Sequence, residues 1–214
     1  MDERLFFGAT QRNKKYIKEI LENYVTDFGC ILELGSGSGE HAVYFQKNFP
    51  KIIWQTSDKN ICHLKSIQSW INFENLSIKM PKPIMIDIEK TPWELSDKII
   101  QSLRMIISIN VIHISPWICT RKLFEESGKI LYDKQHLFLY GPFKKGGKHI
   151  SKSNVQFDKA LRNENKNWGI RDIEEINSIA IKNNFKLDKI IQMPANNHSL
   201  IFQKINKHKY IYKK

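Results

Sequence analysis

The sequence predicts an α/β fold in which a mostly parallel sheet carries helices on both faces and ends in a C-terminal antiparallel β-hairpin. Three observations predict it. Short apolar runs alternate with segments of one-faced helical spacing between residues 12 and 140, the rhythm of βαβ units whose right-handed crossovers cover both faces of a sheet. The first apolar run ends in a turn holding Gly35, Gly37 and Gly39, placed where open α/β sheets bind ligands. Near the C-terminus, two apolar runs are separated only by PANNH, residues 194–198, a five-residue hairpin connection. With 214 residues, 41% of them hydrophobic, and neither linker nor internal repeat, the chain is expected to form one domain, 1–214.

The elements follow in order. Apolar residues at Tyr16, Ile17, Ile20, Leu21, Tyr24 and Val25 predict a helix over 12–25. Residues 30–34 read as a buried strand, 40–47 as a helix stopped by Pro50, and 52–56 as a second strand running on to Ser57 and Asp58. A helix over 61–73, strands at 83–86 and 105–109, a helix over 117–131 and a fifth strand at 136–140 continue the pattern. GPFKKGGKHISKSN, 141–154, then reads as a Gly- and Lys-rich loop too long for an ordinary turn, and such loops tend to be functional. Helices over 155–163 and 172–184 follow, the second with Asp172 and Glu175 in capping-box spacing, before strands at 187–193 and 199–205.

The formal charge of +12 comes from 34 Lys and Arg against 22 Asp and Glu. Lysines outnumber arginines 28 to 6, whereas a phosphate-reading surface favours the planar fork of Arg. A solvated lysine-rich surface is therefore the preferred reading and a nucleic-acid footprint the alternative. Cys30, Cys62 and Cys119 are dispersed and odd in number, so neither a disulfide framework nor a metal site is expected, and Cys119 reads as a core thiol. Reduced thiols, a charged N-terminus without an apolar leader and no membrane-length apolar run give a cytoplasmic expectation, with no membrane partner.

CILELGSGSGEH, residues 30–41, narrows the ligand. A dinucleotide fingerprint requires glycine where Glu40 stands, a Walker loop requires Gly-Lys-Ser/Thr, and a carboxylate at a helix N-terminus opposes a pyrophosphate. A nicotinamide oxidoreductase is disfavoured on this ground. The Glu-x-Gly-x-Gly-x-Gly pattern instead resembles S-adenosylmethionine (SAM) methyltransferases, whose cofactor carries an amino acid head, a sulfonium and an adenosine. The cofactor-binding candidates are Glu33 near the ammonium, Gly35, Ser36, Gly37 and Gly39 in the close-approach turn, and Asp58 at the ribose diol. Asp87 and Ile88 at the adenine and Asn110 after the fourth strand complete the set. Each also has a plainer reading, since Gly-rich turns occur without ligands and acids after strands cap helices and turns.

Beyond this turn, ATQRNKKYI, HAVYF, IIWQTSD, TPW, INVIHISPW, YGPFKKGG, SNVQFD, GIRD and MPANNHSLIF together resemble the family labelled domain of unknown function 938, the methyltransferase-like protein 26 group. The resemblance covers nearly the whole chain. One departure is Leu34-Gly35-Ser36-Gly37-Ser38-Gly39, where the family often has Ile-Ala-Ser-Gly-Thr-Gly. The resemblance implies a Rossmann-like, seven-stranded class I SAM-methyltransferase fold and supplies no substrate.

Methyl transfer from a sulfonium is an in-line displacement that leaves S-adenosylhomocysteine, and a neutral alcohol acceptor also needs a base. His113 and Tyr140, after the fourth strand and at the end of the fifth, are the catalytic candidates, although His113 equally suits closing a turn. Asn110-Val111-Ile112-His113 does not match the Asn/Asp-Pro-Pro-Tyr/Phe run of nucleic-acid amino methyltransferases. The 141–147 loop suits a lid with glycine hinges and lysines that attract an anionic acceptor. Asn154, Arg171, Asn196 and Asn197 are the substrate-binding candidates, with turn formation as the competing role of the asparagines. The expected activity is methylation of a small molecule. The alternatives are an RNA methyltransferase or RNA-binding protein, and a non-catalytic SAM-binding module.

Overall fold

The computed structural model describes residues 2–206, and the chain divides into two compact units, one ending at Ile109 and the other beginning at Asn110. The first opens with α1 (Gly8–Leu21), which buries Thr10, Asn13, Ile17 and Leu21 on one face. This helix starts and stops about one turn earlier than the predicted 12–25. Its first turn has no apolar period to reveal it, and Tyr24 and Val25 belong to a closing turn whose N–H groups donate to Leu21 O at 2.9 and 2.8 Å.

Wholly buried β1 (Cys30–Leu34) leads through the glycine turn to α2 (Glu40–Asn48), β2 (Ile53–Asp58) and α3 (Ile61–Phe73). The side chain of Asn60 caps α3 by accepting the Cys62 N–H at 2.8 Å. β3 is only Ile84–Met85, shorter than the predicted 83–86, and α4 (Asp97–Ser102) is an element the apolar spacing misses because it buries no residue. β4 (Leu103–Ile109) completes the unit. The four strands are parallel in the order β3-β2-β1-β4, so the chain direction reverses its march across the sheet between β1 and β4. The carboxyl ends of strands at such a reversal form a crevice, and the glycine turn lies there. Fully buried Phe45 and Trp54, with ring centroids 5.1 Å apart, anchor the core beneath it. Each such side chain contributes about 2–3 kcal/mol of burial.

The second unit begins with a 3₁₀ turn (Ile112–Ile114) and α5 (Trp117–Ile130), followed by β5 (His136–Gly141). The 141–154 segment is not the long irregular loop the sequence suggests. It folds into β6 (Phe143–Lys145) and β7 (Lys148–His149), a hairpin turned by Gly146 and Gly147 at φ 58° and 74°. Their N–H groups donate to Glu174 Oε2 (3.0 Å) and Asp172 Oδ2 (2.6 Å), so the two glycines that suggested lid hinges are tied down. α6 (Lys152–Glu164), β8 (Arg171–Asp172) and α7 (Ile173–Lys182) follow. Asp172 caps α7 through the Glu174 N–H at 3.0 Å, without the reciprocal Glu175 arm of a capping box. β9 (Phe185–Met193) and β10 (Asn197–Lys204) pair antiparallel through a three-residue 3₁₀ turn, Pro194–Asn196, which is tighter than the predicted five-residue connection.

The strands form a seven-stranded, mostly parallel sheet in the order β3-β2-β1-β4-β5-β10-β9, with a small extra sheet β7-β6-β8. Among the described residues, no helix is long and apolar enough to cross a membrane.

Candidate functional site

In the first unit the chain leaves β1 through Gly35, Gly37 and Gly39 at φ 69°, 57° and 92°. The turn is fastened to β2, with Ser36 N–H donating to Ser57 O at 2.9 Å and Ser57 Oγ donating to Glu33 O at 2.7 Å. A Cβ on Gly39 would stand 2.8 Å from Ile67 Cα, so glycine is what lets the start of α2 approach α3. A Cβ on Gly37 would meet Phe7 Cε2 at 3.0 Å, so an aromatic ring lies directly on this turn.

Asp58 closes the arrangement. Its Oδ2 accepts the Gly37 N–H and its Oδ1 the Asn60 N–H, both at 2.9 Å, and His63 Nδ1 lies 3.1 Å from Oδ1. The carboxylate therefore serves as a cap and also keeps acceptor capacity, since two oxygens offer about four acceptor positions. Glu33 is 1% exposed, and its Oε2 accepts the Trp54 indole N–H at 3.0 Å. Burial pushes its carboxyl up to about 7, against the Trp54 and Ser36 hydrogen bonds that pull it down. Burial thus favours its protonated form, and an adjacent cation would drive the proton off.

Glu40 does something the sequence does not reveal. Its buried carboxylate turns to the N-terminal segment and α1, accepting the Phe7 N–H (2.7 Å), the Gln11 side-chain amide (2.8 Å) and the Ser38 hydroxyl (3.0 Å). Beside it, His41 Nε2 and Asn13 Oδ1 meet at 2.7 Å, and burial holds this imidazole down at about 3. Asp87 stands two residues past β3, where its Oδ1 accepts the Glu89 N–H at 3.2 Å, which is the turn-capping role. Ile88 is buried, 8% exposed.

The second unit gathers the other candidates. Asn110 takes φ 58° and donates its N–H to Tyr140 O at 2.8 Å; asparagine tolerates this left-handed geometry. His113 is 5% exposed on the 3₁₀ turn, its Nδ1 buried without a hydrogen-bond partner among the described residues. Gly141 makes room for it, since a Cβ there would stand 3.2 Å from that Nδ1. Burial, then the Arg171 charge, hold the imidazole down at about 4, so it is neutral at physiological pH. Arg171 clamps the same turn: Nη2 donates to Ser115 O and Asn167 O, both at 2.7 Å, and its guanidinium lies 5.5 Å from the Trp117 ring centre.

Tyr140 is buried within β5, opposite Ser199 of β10. Asn154 Nδ2 donates to Asn196 O (3.1 Å), Asn196 Nδ2 to Ser153 Oγ (3.2 Å) and Asn197 Nδ2 to Pro194 O (3.2 Å). These three donor groups hold the β9–β10 turn, where Ala195 and Asn196 both take φ 57°. Sequence reasoning misses Phe7 and His63, which stand against Gly37 and Asp58. Neither carries a motif, and no spacing rule singles either out.

This fold is shared with solved SAM-dependent methyltransferases. The mitomycin 7-O-methyltransferase MmcR superposes with a TM-score of 0.75 at 9% identity, covering 92% of this chain and 54% of its own. A putative sarcosine dimethylglycine methyltransferase from Galdieria sulphuraria gives 0.72 at 14% identity, covering 95% and 92%. An O-methyltransferase family protein from Burkholderia thailandensis gives 0.73 at 9%, covering 93% and 58%. The chain thus spans little more than half the length of the first and third of these. It belongs to the DUF938 family of proteins of unknown function, whose model matches residues 4–204.

Proposed function

We propose that the protein is a SAM-dependent methyltransferase acting on a small-molecule acceptor. The observation that carries this reading is Asp58, which meets the glycine turn through the Gly37 N–H at 2.9 Å and retains acceptor capacity on its carboxylate. That donor set fits a cationic amino acid nucleoside: an acid with capacity for a ribose diol, a backbone turn that admits close approach, and Glu33 able to lose its proton beside an ammonium. Gly35, Ser36, Gly37 and Gly39 would line the turn, with Asp87 and Ile88 at the adenine and Asn110 after β4. Bound SAM would supply an electrophilic methyl group on a sulfonium.

His113 is the proposed base for a hydroxyl acceptor, because its imidazole is neutral and its Nδ1 is unspent. Arg171 positions it by holding the turn on which it sits, and Tyr140, Asn154, Asn196 and Asn197 are the proposed neighbours of the acceptor. In this reading 1–214 works as one domain. Two of the matched folds are named O-methyltransferases and the third a sarcosine dimethylglycine methyltransferase, so both hydroxyl and amine acceptors suit this fold. The grouping with methyltransferase-like protein 26 rests on the motifs alone, and the free cysteines support a cytoplasmic location.

Incubation with methyl-labelled SAM and a metabolite extract, followed by mass spectrometry, tests the reading. A labelled small product is expected. Label found only in RNA would replace the reading with the nucleic-acid alternative.

A further inference from the structure

Residues 2–7 run without regular structure ahead of α1, yet they are fastened at several points. Leu5 N–H donates to Ser66 Oγ at 2.8 Å, and the Trp70 indole N–H donates to Leu5 O at 3.0 Å. The Arg4 guanidinium lies 3.5 Å from the centre of the Phe73 ring and 4.8 Å from that of Trp70, a cation–π stack on α3. Phe7 N–H donates to Glu40 Oε2 at 2.7 Å.

Two of these fastenings connect the strap to the glycine turn itself. Ser66, which accepts from the Leu5 N–H, donates its own hydroxyl to Ser38 O at 2.7 Å; Glu40, which accepts from the Phe7 N–H, also accepts from the Ser38 hydroxyl at 3.0 Å. Movement of the strap and movement of the turn are therefore coupled at Ser38. The ring this brings into place stands against Gly37 and meets His63 edge-on with centroids 5.8 Å apart, beside the Asp58 carboxylate. Residues 5, 6 and 7 are 36%, 65% and 40% exposed, so lifting the strap removes no core side chain. Phe7 has a fixed backbone and an aromatic surface that the protein does not use up.

We propose that Phe7 is a cofactor-contacting residue, carried on a strap that closes over the Gly37–Asp58 pair and is latched by Glu40. This rests on the SAM reading of that pair. The ring offers an apolar wall to the nucleoside, and entry or release requires the Phe7–Glu40 and Leu5–Ser66 bonds to open. A latched wall acts mainly on dissociation.

The test uses the full chain and S-adenosylhomocysteine, combining titration calorimetry with amide hydrogen exchange of residues 5–10. The wild type is expected to bind, with slower exchange at Leu5 and Phe7 in the bound state. Phe7→Ala should weaken affinity roughly tenfold and Glu40→Gln should speed dissociation by a similar factor, while Phe7→Tyr retains wild-type affinity. Unchanged affinity in Phe7→Ala together with unchanged strap exchange overturns the inference, leaving the segment a structural anchor. Should Phe7→Ala not fold, Phe7→Leu and the wild-type exchange measurement decide in its place. Failure of the folded wild type to bind at all overturns the cofactor reading, a result distinct from failure of the strap.

Discussion

The backbone N–H of Gly37 donates to Asp58 Oδ2 across 2.9 Å, joining two residues 21 positions apart. The bond ties the turn after β1 to the end of β2, at the crevice where a parallel sheet receives its ligand. It makes Asp58 a structural clasp whose carboxylate still offers acceptor positions.

Gly39→Ala tests the packing behind that turn. A methyl group would stand 2.8 Å from Ile67 Cα on a residue held at φ 92°, so strain and overpacking add. A loss of about 2–4 kcal/mol is expected, read as a lower urea midpoint with an unchanged slope.

Glu33→Gln tests the buried acid. The folded carboxyl at about 7 lies above its ordinary 4.5, so its contribution to stability is full below pH 4.5 and is lost as pH rises through 7. The cost above that window is about 3 kcal/mol. Relative to wild type, the variant should therefore melt higher at pH 8 than at pH 5. SAM affinity of the wild type should also rise between pH 6 and 8, as the acid ionises, and the variant should lack that rise.

The two buried histidines act with the opposite sign. Imidazoles at about 3 for His41 and about 4 for His113, against an ordinary 6.5, give stability that is full above pH 6.5 and lost as pH falls toward the folded values. Each costs about 1.4 kcal/mol per pH unit in that window. His41→Gln should show a shallower decline of the urea midpoint between pH 7 and pH 5. With His113 as base, kcat/KM for the acceptor at saturating SAM should show no inflection near 6.5 between pH 8 and pH 5.

Arg171→Lys tests the clamp beneath His113. A lysine cannot reproduce the planar group whose Nη2 reaches Ser115 O and Asn167 O while its Nε faces Ile112 O at 3.4 Å, so a loss of about 2 kcal/mol is expected. Methyl transfer should fall while the SAM dissociation constant holds. An unchanged rate would remove Arg171 from the acceptor side.

The elements legible in the sequence were those with strong local punctuation. β1 and α3 keep their predicted bounds because an apolar run between glycines and an Asn60 cap are local signals. α4 escaped because it buries nothing, and the β6–β7 hairpin because its register depends on Asp172 and Glu174, 25 and 28 residues beyond its glycines. The candidate site divides the same way. Asp58 and the glycines follow from position along a βαβ unit, whereas the partner of Glu40 is an N–H 33 residues upstream, which no spacing rule reaches. Asn154, Asn196 and Asn197 stand out in the sequence as substrate-binding candidates, and in the structure their side-chain amides donate within and beside the β9–β10 turn.

Calorimetric titration of the full chain with SAM, beside Asp58→Ala, decides whether Asp58 and the glycine turn hold the cofactor. One-site binding by the wild type is expected, with a loss of at least tenfold in a variant that remains folded by circular dichroism. Equal binding by both proteins, or none by the folded wild type, would contradict that assignment.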